Sequence, residues 1–265
     1  MSGSALKEKI KSGKPVFGTF IHYVTQPRLA ELLPLDALDF VVLNTEHNAY
    51  GLSDFLPLSL ALKGSGVACL VRVTGHSTDE ISKACDAFPD GVVIPYVEDV
   101  EKTRRLVAAA NRRPLKGASL ERALTEDVWP SAKSKAYLDK RNANVAVCLM
   151  IESVRALENL DALCAIPGVN AVFAGPNDLS ISLGIPDEYE HPEYLAALQK
   201  IVDAANRHGL AGGSHFSSMR HARYWLERGA RFIPYHNDGK FLKSAAEQAF
   251  GELAGRGGRA PDQVV

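Results

Sequence analysis

The sequence predicts an α/β fold, a (β/α)8 TIM barrel, on three observations. Short apolar runs alternate with amphipathic stretches about eight times along the chain, which is the order of elements in this fold. Most of the runs are apolar on both faces, as parallel strands covered by helices should be. A length of 265 residues suits a single barrel. The main alternative, a doubly wound open sheet, lacks support because no G-x-G-x-x-G motif follows the first strand.

The predicted strands are apolar runs bounded by polar or glycine-containing turns. In order, they are Val16–Phe20, Phe40–Asn44, Val67–Val73, Val92–Val97, Val145–Glu152, Ala171–Ala174, Leu210–Ser214 and Phe232–Tyr235. The predicted helices lie between them, and some end at a glycine that supplies a positive φ. They are Gln26–Leu33, Ser53–Lys63, Ser77–Ala87, Val100–Asn111, Val154–Ala165, His191–Arg207, Met219–Arg228 and Phe241–Leu253.

Two segments depart from this alternation. The stretch from Asn111 to Asn144 is longer than a helix-to-strand connection requires. Its Lys116–Ser119 turn and the charged residues that follow predict an excursion over one mouth of the barrel, where such loops shape substrate entry. The Gly-rich residues 254–265 predict a flexible C-terminal tail. The barrel domain is therefore expected to span residues 1–253.

Composition argues against several classes of function. A formal net charge of -1 gives no field that favours nucleic acid or an anionic membrane surface. No apolar run approaches the roughly 18 to 20 residues of a membrane span. The chain starts without an apolar signal core or a cleavage pattern, which predicts the cytoplasm. The cysteines form no C-x-x-C pair and are expected to be reduced core thiols; they are Cys69, Cys85, Cys148 and Cys164.

Two predicted strands each deliver one carboxylate to the same end of the barrel. Glu152 ends the fifth strand, and Asp178 follows the sixth strand within the turn Gly175–Ser180. The carboxyl ends of barrel strands carry the active site, so the two carboxylates would converge there as oxygen ligands for a divalent cation. The alternative is a salt bridge to a lysine or arginine. Backbone N–H groups of the Gly175–Ser180 turn could also face a carboxylate.

Three further residues are candidates for the active site, and the sequence supports them to different degrees. His47 follows the second strand in Asn44–His47 and is a candidate acid/base, because of its position at the strand end. Arg72 interrupts an apolar strand and needs an anionic partner. That partner is either a structural ion pair or a substrate carboxylate that the guanidinium grips bidentately. Asp86 lies late in a predicted helix, and its position alone favours a solvated surface residue.

Taken together, several short motifs resemble one family. They are Thr45-Glu46-His47, Leu70-Val71-Arg72, Val93-Ile94-Pro95-Tyr96-Val97, Ile151-Glu152-Ser153 and Val172–Ser180. In this order and spacing, over about residues 6–253, they resemble the HpcH/HpaI aldolases, which are metal-dependent (class II) pyruvate aldolases of the pyruvate/phosphoenolpyruvate barrel superfamily.

The resemblance implies a reaction and a role for each site residue. The reaction is cleavage of a 4-hydroxy-2-oxo acid to pyruvate and an aldehyde, or the reverse addition, through a pyruvate enolate stabilised by a divalent metal such as Mg, Mn or Co. Glu152 and Asp178 would be the metal ligands, Arg72 would bind pyruvate, and the amides of Asn177 and Asp178 would hold its carboxylate. His47 and Asp86 would form an acid/base dyad. No predicted strand carries a Schiff-base lysine, which argues against a class I aldolase.

The chain departs from the family pattern in three places. The usual Asp-Gly-Glu-His is Asn44-Thr45-Glu46-His47, and the Gln common two residues before the metal-binding Glu is Met150. These changes point to an altered outer shell around the metal. The Arg-Gly-x-Gly stretch of many relatives is replaced in residues 114–122, which bears on the loop over the site and on aldehyde specificity.

Two other classes of function stay open. One is another metal-dependent lyase of the same superfamily, acting on an acyl-CoA or a carboxylated acid. The other is a non-catalytic barrel that serves as an assembly or binding module. The combination of Arg72, Glu152 and Asp178 speaks against the second, because an inactive site has no use for costly buried charges.

The last helix bears on assembly. Phe241–Leu253 carries an apolar stripe with helical spacing, and periodicity alone favours packing on its own barrel as the eighth helix. Members of the resembled family exchange this helix between neighbouring subunits and form trimers or hexamers. The resemblance therefore implies a homo-oligomer, either a hexamer or a trimer.

Overall fold

The computed structural model describes residues 3–88 and 90–255 and confirms the predicted (β/α)8 barrel. Its eight strands pair in sequence order, every pair is parallel, and β1 closes the barrel against β8. The strands are β1 (Val16–Ile21), β2 (Phe40–Asn44), β3 (Ala68–Arg72), β4 (Gly91–Ile94), β5 (Ala146–Ile151), β6 (Ala171–Ala174), β7 (Ala211–Ser214) and β8 (Phe232–Asn237). Each one overlaps a predicted strand.

The helices follow the predicted alternation with additions. They are α1 (Gly3–Lys11), α2 (Leu29–Leu32), α3 (Leu52–Leu62), α4 (Thr78–Ala87), α5 (Val100–Asn111), α6 (Gly117–Thr125), α7 (Ala132–Asn142), α8 (Val154–Glu158), α9 (Leu160–Cys164), α10 (Pro176–Ser182), α11 (Pro192–Arg207), α12 (Met219–Glu227) and α13 (Asp238–Leu253). The single helix predicted over Val154–Ala165 is two short helices, α8 and α9, which meet at Asn159.

Buried apolar side chains form two clusters. One fills the inside of the barrel and includes the stacked rings of Phe40 and Phe232, whose centroids are 4.5 Å apart. The other lies between the strands and the surrounding helices. This two-layer burial explains why the strands are apolar on both faces.

Helix α1 closes the amino-terminal end of the barrel. Leu6 and Ile10 are one helical turn apart, and both are buried in the inner cluster. The ammonium group of Lys7 donates hydrogen bonds to the carbonyls of Ala143 (2.9 Å) and Val145 (3.2 Å), at the start of β5. With this end covered, the carboxyl ends of the strands are left to form a site.

The excursion between α5 and β5 does not lie over the carboxyl mouth of its own barrel. It forms α6 and α7, and its ion pairs run to the outer helices: Glu121 to Arg105 (3.1 Å) and Arg113 to Asp86 (3.0 Å). None of the residues that line the cavity described below comes from residues 112–144. The expectation that this segment shapes substrate entry is therefore not met within one chain.

Helix α13 differs from the other long helices because none of its described residues is buried. Its apolar stripe faces outward, with Leu242 73%, Phe250 70% and Leu253 82% exposed. The eighth helix is thus present, but it does not bury the stripe against its own barrel. Most of the predicted tail, residues 256–265, lies outside the described residues.

No helix among the described residues is both long and apolar enough to cross a membrane. All four cysteines lie in buried positions, as predicted, and none is paired in a disulfide among the described residues.

Candidate active site

A cavity of about 570 Å³ opens at the carboxyl ends of the strands. The ends of β1, β3, β5, β6, β7 and β8 all contribute to its wall. The lining residues include Phe20, His22, His47, Arg72, Met150, Glu152, Gly175, Asn177, Asp178, Tyr189, Ser214, His215, His236 and Lys240. Of the predicted site residues, all but Asp86 therefore face one space.

Glu152 is the most deeply buried carboxylate of this cavity, at 1% exposure. Its Oε2 atom accepts a hydrogen bond of 2.7 Å from the Tyr96 backbone N–H, and its Oε1 atom lies 3.4 Å from Nη2 of Arg72. Burial raises the pKa of Glu152 to about 7, although Arg72 and the Tyr96 N–H act in the opposite direction. A carboxylate held in this way is stabilised when a further positive charge approaches it.

The backbone around Glu152 is arranged to admit it. A Cβ atom on Gly175 would lie 2.1 Å from Oε1 of Glu152, so only glycine leaves room for the carboxylate at this position. On the other side, Tyr96 adopts a φ of 48°, which is uncommon for a residue other than glycine. This strained conformation accompanies the N–H group that donates to Glu152.

Asp178 lies in the first turn of α10, half-buried, and lines the same cavity. Its negative charge helps to raise the pKa of Glu152, which places the two carboxylates within electrostatic reach. Among the described residues, no group of three or more His, Cys, Asp and Glu side chains is arranged to hold a metal ion. Two carboxylates beside open space fit a hard cation such as Mg²⁺, which takes one or two protein carboxylates and fills its other positions with water and substrate oxygens.

Arg72 has the anionic partners that the sequence required. It is 6% exposed, and its Nη2 atom forms ion pairs with Glu46 and with Glu152. Its Nε atom is buried without a hydrogen-bond partner among the described residues. Two carboxylates, those of Glu46 and Glu152, pair with the one guanidinium, and the charge of Asp178 acts on Glu152. The site therefore has an excess of negative charge that a divalent cation would balance.

His47 lies at the rim, with its side chain 56% exposed and Nε2 3.6 Å from Oε2 of Glu46. Glu46 thus connects His47 to Arg72. The position places the imidazole where it can exchange protons with solvent and with a bound molecule.

The structure does not bring Asp86 to His47 of the same chain. Asp86 is at the end of α4 that points away from the carboxyl ends of the strands, because barrel helices run antiparallel to the strands they follow. Its carboxylate pairs with Arg113 at 3.0 Å and lies 3.7 Å from Arg141. The dyad implied by the family resemblance is therefore not formed within one chain.

Asn177 occupies the first turn of α10, where backbone N–H groups have no partner inside the helix. Its side-chain oxygen lies 2.7 Å from the hydroxyl of Tyr189, which also lies 2.7 Å from Oδ1 of Asp187. The segment after α10 thus folds back onto the cavity and supports this turn.

Sequence reasoning missed a group of histidines on the opposite wall. His22, His215 and His236 follow or end β1, β7 and β8 and line the cavity together with His47. Burial lowers the pKa of His215 to about 4, so this ring is neutral at physiological pH. The available signal was a histidine within three residues after a predicted apolar strand, the same signal that identified His47.

Comparison with known proteins decides the family. Residues 18–245 match the model of the family described as HpcH/HpaI aldolase/citrate lyase. The chain belongs to this family. The match covers every strand except the start of β1 and contains all the predicted site residues.

Individual members agree with this assignment. The chain is 32% identical to a 5-keto-4-deoxy-D-glucarate aldolase from Enterobacter sp. (strain 638) over 228 residues, which are 85% of this chain and 87% of that protein. The crystal structure of an HpcH/HpaI aldolase from Desulfitobacterium hafniense DCB-2 has a TM-score of 0.80 at 28% identity, covering 94% of this chain and 96% of that one. The citrate synthase SbnG has a TM-score of 0.77 at 25% identity, covering 95% and 98%. This HpcH/HpaI member is an enzyme of the lyase class that acts on small molecules.

Proposed function

We propose that this HpcH/HpaI enzyme is a metal-dependent aldolase. It would cleave 4-hydroxy-2-oxo acids to pyruvate and an aldehyde, or form them from these two compounds. The observation that carries the proposal is the buried Glu152 carboxylate, which faces open space beside Asp178 and Arg72. A buried carboxylate that shares one guanidinium with a second carboxylate is costly unless a cation joins them.

Glu152 and Asp178 would hold the divalent cation, which we expect to be Mg, Mn or Co. When bound, the cation supplies Lewis-acid stabilisation for negative charge that develops on the 2-oxo group of the substrate. The fit rests on the donor set, since both groups are carboxylates and the cavity leaves the remaining positions to water and substrate.

Arg72 would grip the pyruvate part of the substrate. The guanidinium is fixed by its ion pairs to Glu46 and Glu152, and its Nε–H is buried without a partner among the described residues. A fixed donor of this kind stabilises developing charge without having to reorganise. The N–H groups of Asn177 and Asp178, in the first turn of α10, would hold the substrate carboxylate.

The proton steps follow from the reaction. In cleavage the C3–C4 bond breaks, its electron pair stays with the pyruvate fragment, and the proton of the 4-hydroxyl leaves as the aldehyde forms. We assign that proton to His47, since its ring lies at the cavity rim and is open to solvent. The pyruvate enolate then takes up a proton at C3, and the addition reaction reverses each step.

A related carbon–carbon lyase reaction is the second candidate. The similarity to the citrate synthase SbnG favours it, because that structure shows the same fold supporting a different named activity. The two candidates differ in substrate and share the metal site.

A pyruvate-release assay tests the proposal. Purified protein is stripped of metal with a chelator, supplied with Mg²⁺, Mn²⁺ or Co²⁺, and given 4-hydroxy-2-oxo acids. We expect pyruvate only when metal is present, loss of the activity in Glu152→Gln, and retention in Glu158→Gln, which changes an exposed glutamate on α8. Equal pyruvate release with and without chelator would refute metal dependence. Metal-dependent turnover of an acyl-CoA or carboxylated acid without pyruvate formation would favour the second candidate.

We also propose that the protein is a homo-oligomer, a hexamer or a trimer, in which α13 packs on a neighbouring subunit. The support is the outward apolar stripe of α13, whose Leu242, Phe250 and Leu253 are largely exposed in the single chain. Light scattering that gave only the 28.7 kDa monomer at micromolar concentration would refute this assembly.

The four buried free thiols fit a reducing compartment, and we propose the cytoplasm.

A further inference from the structure

His22 uses one ring nitrogen, Nε2, to contact a neighbouring side chain, and its other ring nitrogen, Nδ1, makes no hydrogen bond to the described residues. It follows β1 directly, is half-buried and lines the cavity. Its electrostatic neighbours include Arg72 and His47. The ring therefore lies where the proposed pyruvate-binding residues meet the histidine-rich wall.

The contacts of Asn44 determine which nitrogen of His22 carries the proton. Asn44 is fully buried, and its Oδ1 atom accepts a hydrogen bond of 3.4 Å from the backbone N–H of Glu46. Its Nδ2 group must then be the one that faces Nε2 of His22, at 3.3 Å. An amide N–H donates, so Nε2 accepts and the neutral ring carries its proton on Nδ1.

The rest of His22 is held firmly. Its backbone N–H donates to Asp238 (2.9 Å), and its carbonyl accepts from Nδ2 of Asn48 (3.2 Å). Burial, the largest influence, lowers the pKa of His22 and so favours the neutral ring. The Nδ1–H group makes no hydrogen bond to the described residues. Because β1 stands opposite β5 in the closed ring of eight strands, His22 lines the cavity on the wall across from Glu152 and offers a donor there.

We infer that His22 binds the aldehyde half of the substrate, donating a hydrogen bond from Nδ1 to a hydroxyl of the aldehyde, and that the enzyme prefers aldehydes with a 2-hydroxyl group. The inference rests on the proposed aldolase function. With Nε2 engaged by Asn44, the ring serves as a donor and is distinct from His47, to which the proton transfer is assigned. The usual Asp of the family at position 44 could only accept, which would demand the opposite tautomer.

Isosteric substitutions separate the two nitrogens. In His22→Asn the side-chain amide lies near the position of Nδ1, whereas in His22→Gln it lies near the position of Nε2. The first variant keeps the donor toward the cavity and loses the contact with Asn44; the second does the reverse. His22→Phe removes both groups. Thermal unfolding of each variant checks the fold, and the Asn/Gln comparison suffices if His22→Phe does not fold.

Two measurements are made on each variant with Mg²⁺ or Mn²⁺ present. The first is exchange of the pyruvate methyl protons with D₂O, followed by proton NMR, which needs no aldehyde. The second is kcat/KM for addition of pyruvate to glycolaldehyde and to acetaldehyde, which differ by one hydroxyl. We expect wild type to prefer glycolaldehyde, His22→Asn to keep most of that preference, and His22→Gln and His22→Phe to lower it about three- to tenfold, the value of one neutral hydrogen bond. Exchange should fall less than addition.

The possible results are distinct. A preference that survives in His22→Gln and is lost in His22→Asn would show that the contact with Asn44 is what matters and would overturn the inference. Equal losses of exchange and addition in all three variants would also overturn it, since a purely structural role affects both. Wild-type protein that shows no metal-dependent exchange would overturn the aldolase proposal itself, and the inference with it.

Discussion

Replacing Gly175 by alanine is expected to disable the site by displacing Glu152. The Gly175 backbone, with φ -85° and ψ 104°, is one that alanine adopts without strain, so the added Cβ acts through its contacts alone. That Cβ would lie 2.1 Å from Oε1 of Glu152, and also 2.6 Å and 2.7 Å from its Cγ and Cδ atoms. Reaching ordinary contact near 3.4 Å requires the carboxylate to move by roughly 1.3 Å.

A displacement of this size costs about 100-fold in rate when it falls on a group that positions the reaction. We expect metal-dependent kcat/KM to drop by about that factor and Mn²⁺ affinity, measured by calorimetry, to drop with it. Gly51→Ala is the matched control, because the nearest atom to its new Cβ is 3.8 Å away. If Gly175→Ala bound Mn²⁺ and turned over substrate like wild type, Glu152 would not be the metal ligand that we propose.

Four other predictions follow from the same contacts. Asp178→Asn should weaken Mn²⁺ binding by at least the 10- to 100-fold typical of losing an outer-shell partner, as measured by calorimetry. Arg72→Lys should lower kcat by about 100-fold in the pyruvate assay, since an ammonium cannot reproduce the guanidinium fork; an unchanged kcat would make Arg72 structural. Because burial raises the pKa of Glu152 to about 7 in the metal-free protein, the unfolded chain loses this proton at lower pH than the folded one. The free energy of unfolding should therefore fall by about 3 kcal/mol between pH 4.5 and pH 7 through this group, and urea titrations should show that Glu152→Gln removes this part of the pH dependence. Leu6→Ala should lower the free energy of unfolding by about 2 to 5 kcal/mol, measured by urea titration, and leave KM unchanged, because α1 fills the opposite end of the barrel.

The strands could be predicted because parallel strands carry their signal in composition. A run such as Ala171–Ala174 is buried on both faces, so every one of its side chains is apolar. Such a continuous apolar run can be recognised from the sequence alone. Helix α1 could not be predicted in this way. Only Leu6 and Ile10 of its apolar side chains enter the core, and two residues one turn apart do not define a helical period.

The strand ends limited the prediction of the site. Strand β8 was predicted to end at Tyr235 but continues to Asn237, which brings His236 into the wall of the cavity. Likewise β1 continues to Ile21, so that His22 directly follows the strand. An error of one or two residues is small for the fold and large for the site, since it decides which side chains stand at the rim.

The role of Asp86 shows a different limit. The family resemblance assigned Asp86 to the site by its position in the sequence. Asp86 lies near the end of α4, however, and a helix of ten residues runs about 15 Å back along the barrel, away from the carboxyl ends of the strands. Arg113, which pairs with it, belongs to the segment between α5 and α6 and has no counterpart in the short motifs. The resemblance therefore gave Asp86 a catalytic role, and the course of α4 shows that Asp86 and His47 of one chain are far apart.

The residues at positions 44 and 150, where the chain departs from the family pattern, do not hold Glu152 in place. The hydrogen bond and ion pair that hold Glu152 come from the Tyr96 N–H and from Arg72, so neither departure removes a partner that the structure gives to this carboxylate. Asn44 bonds instead to His22, across the barrel from Glu152. Because an amide and a neutral imidazole form a donor–acceptor pair that an aspartate would reverse, the change at residue 44 and the histidine at residue 22 are chemically matched. The effect of Asn44 is therefore expected on the aldehyde side of the cavity, while the carboxylates that we assign to the metal keep their surroundings.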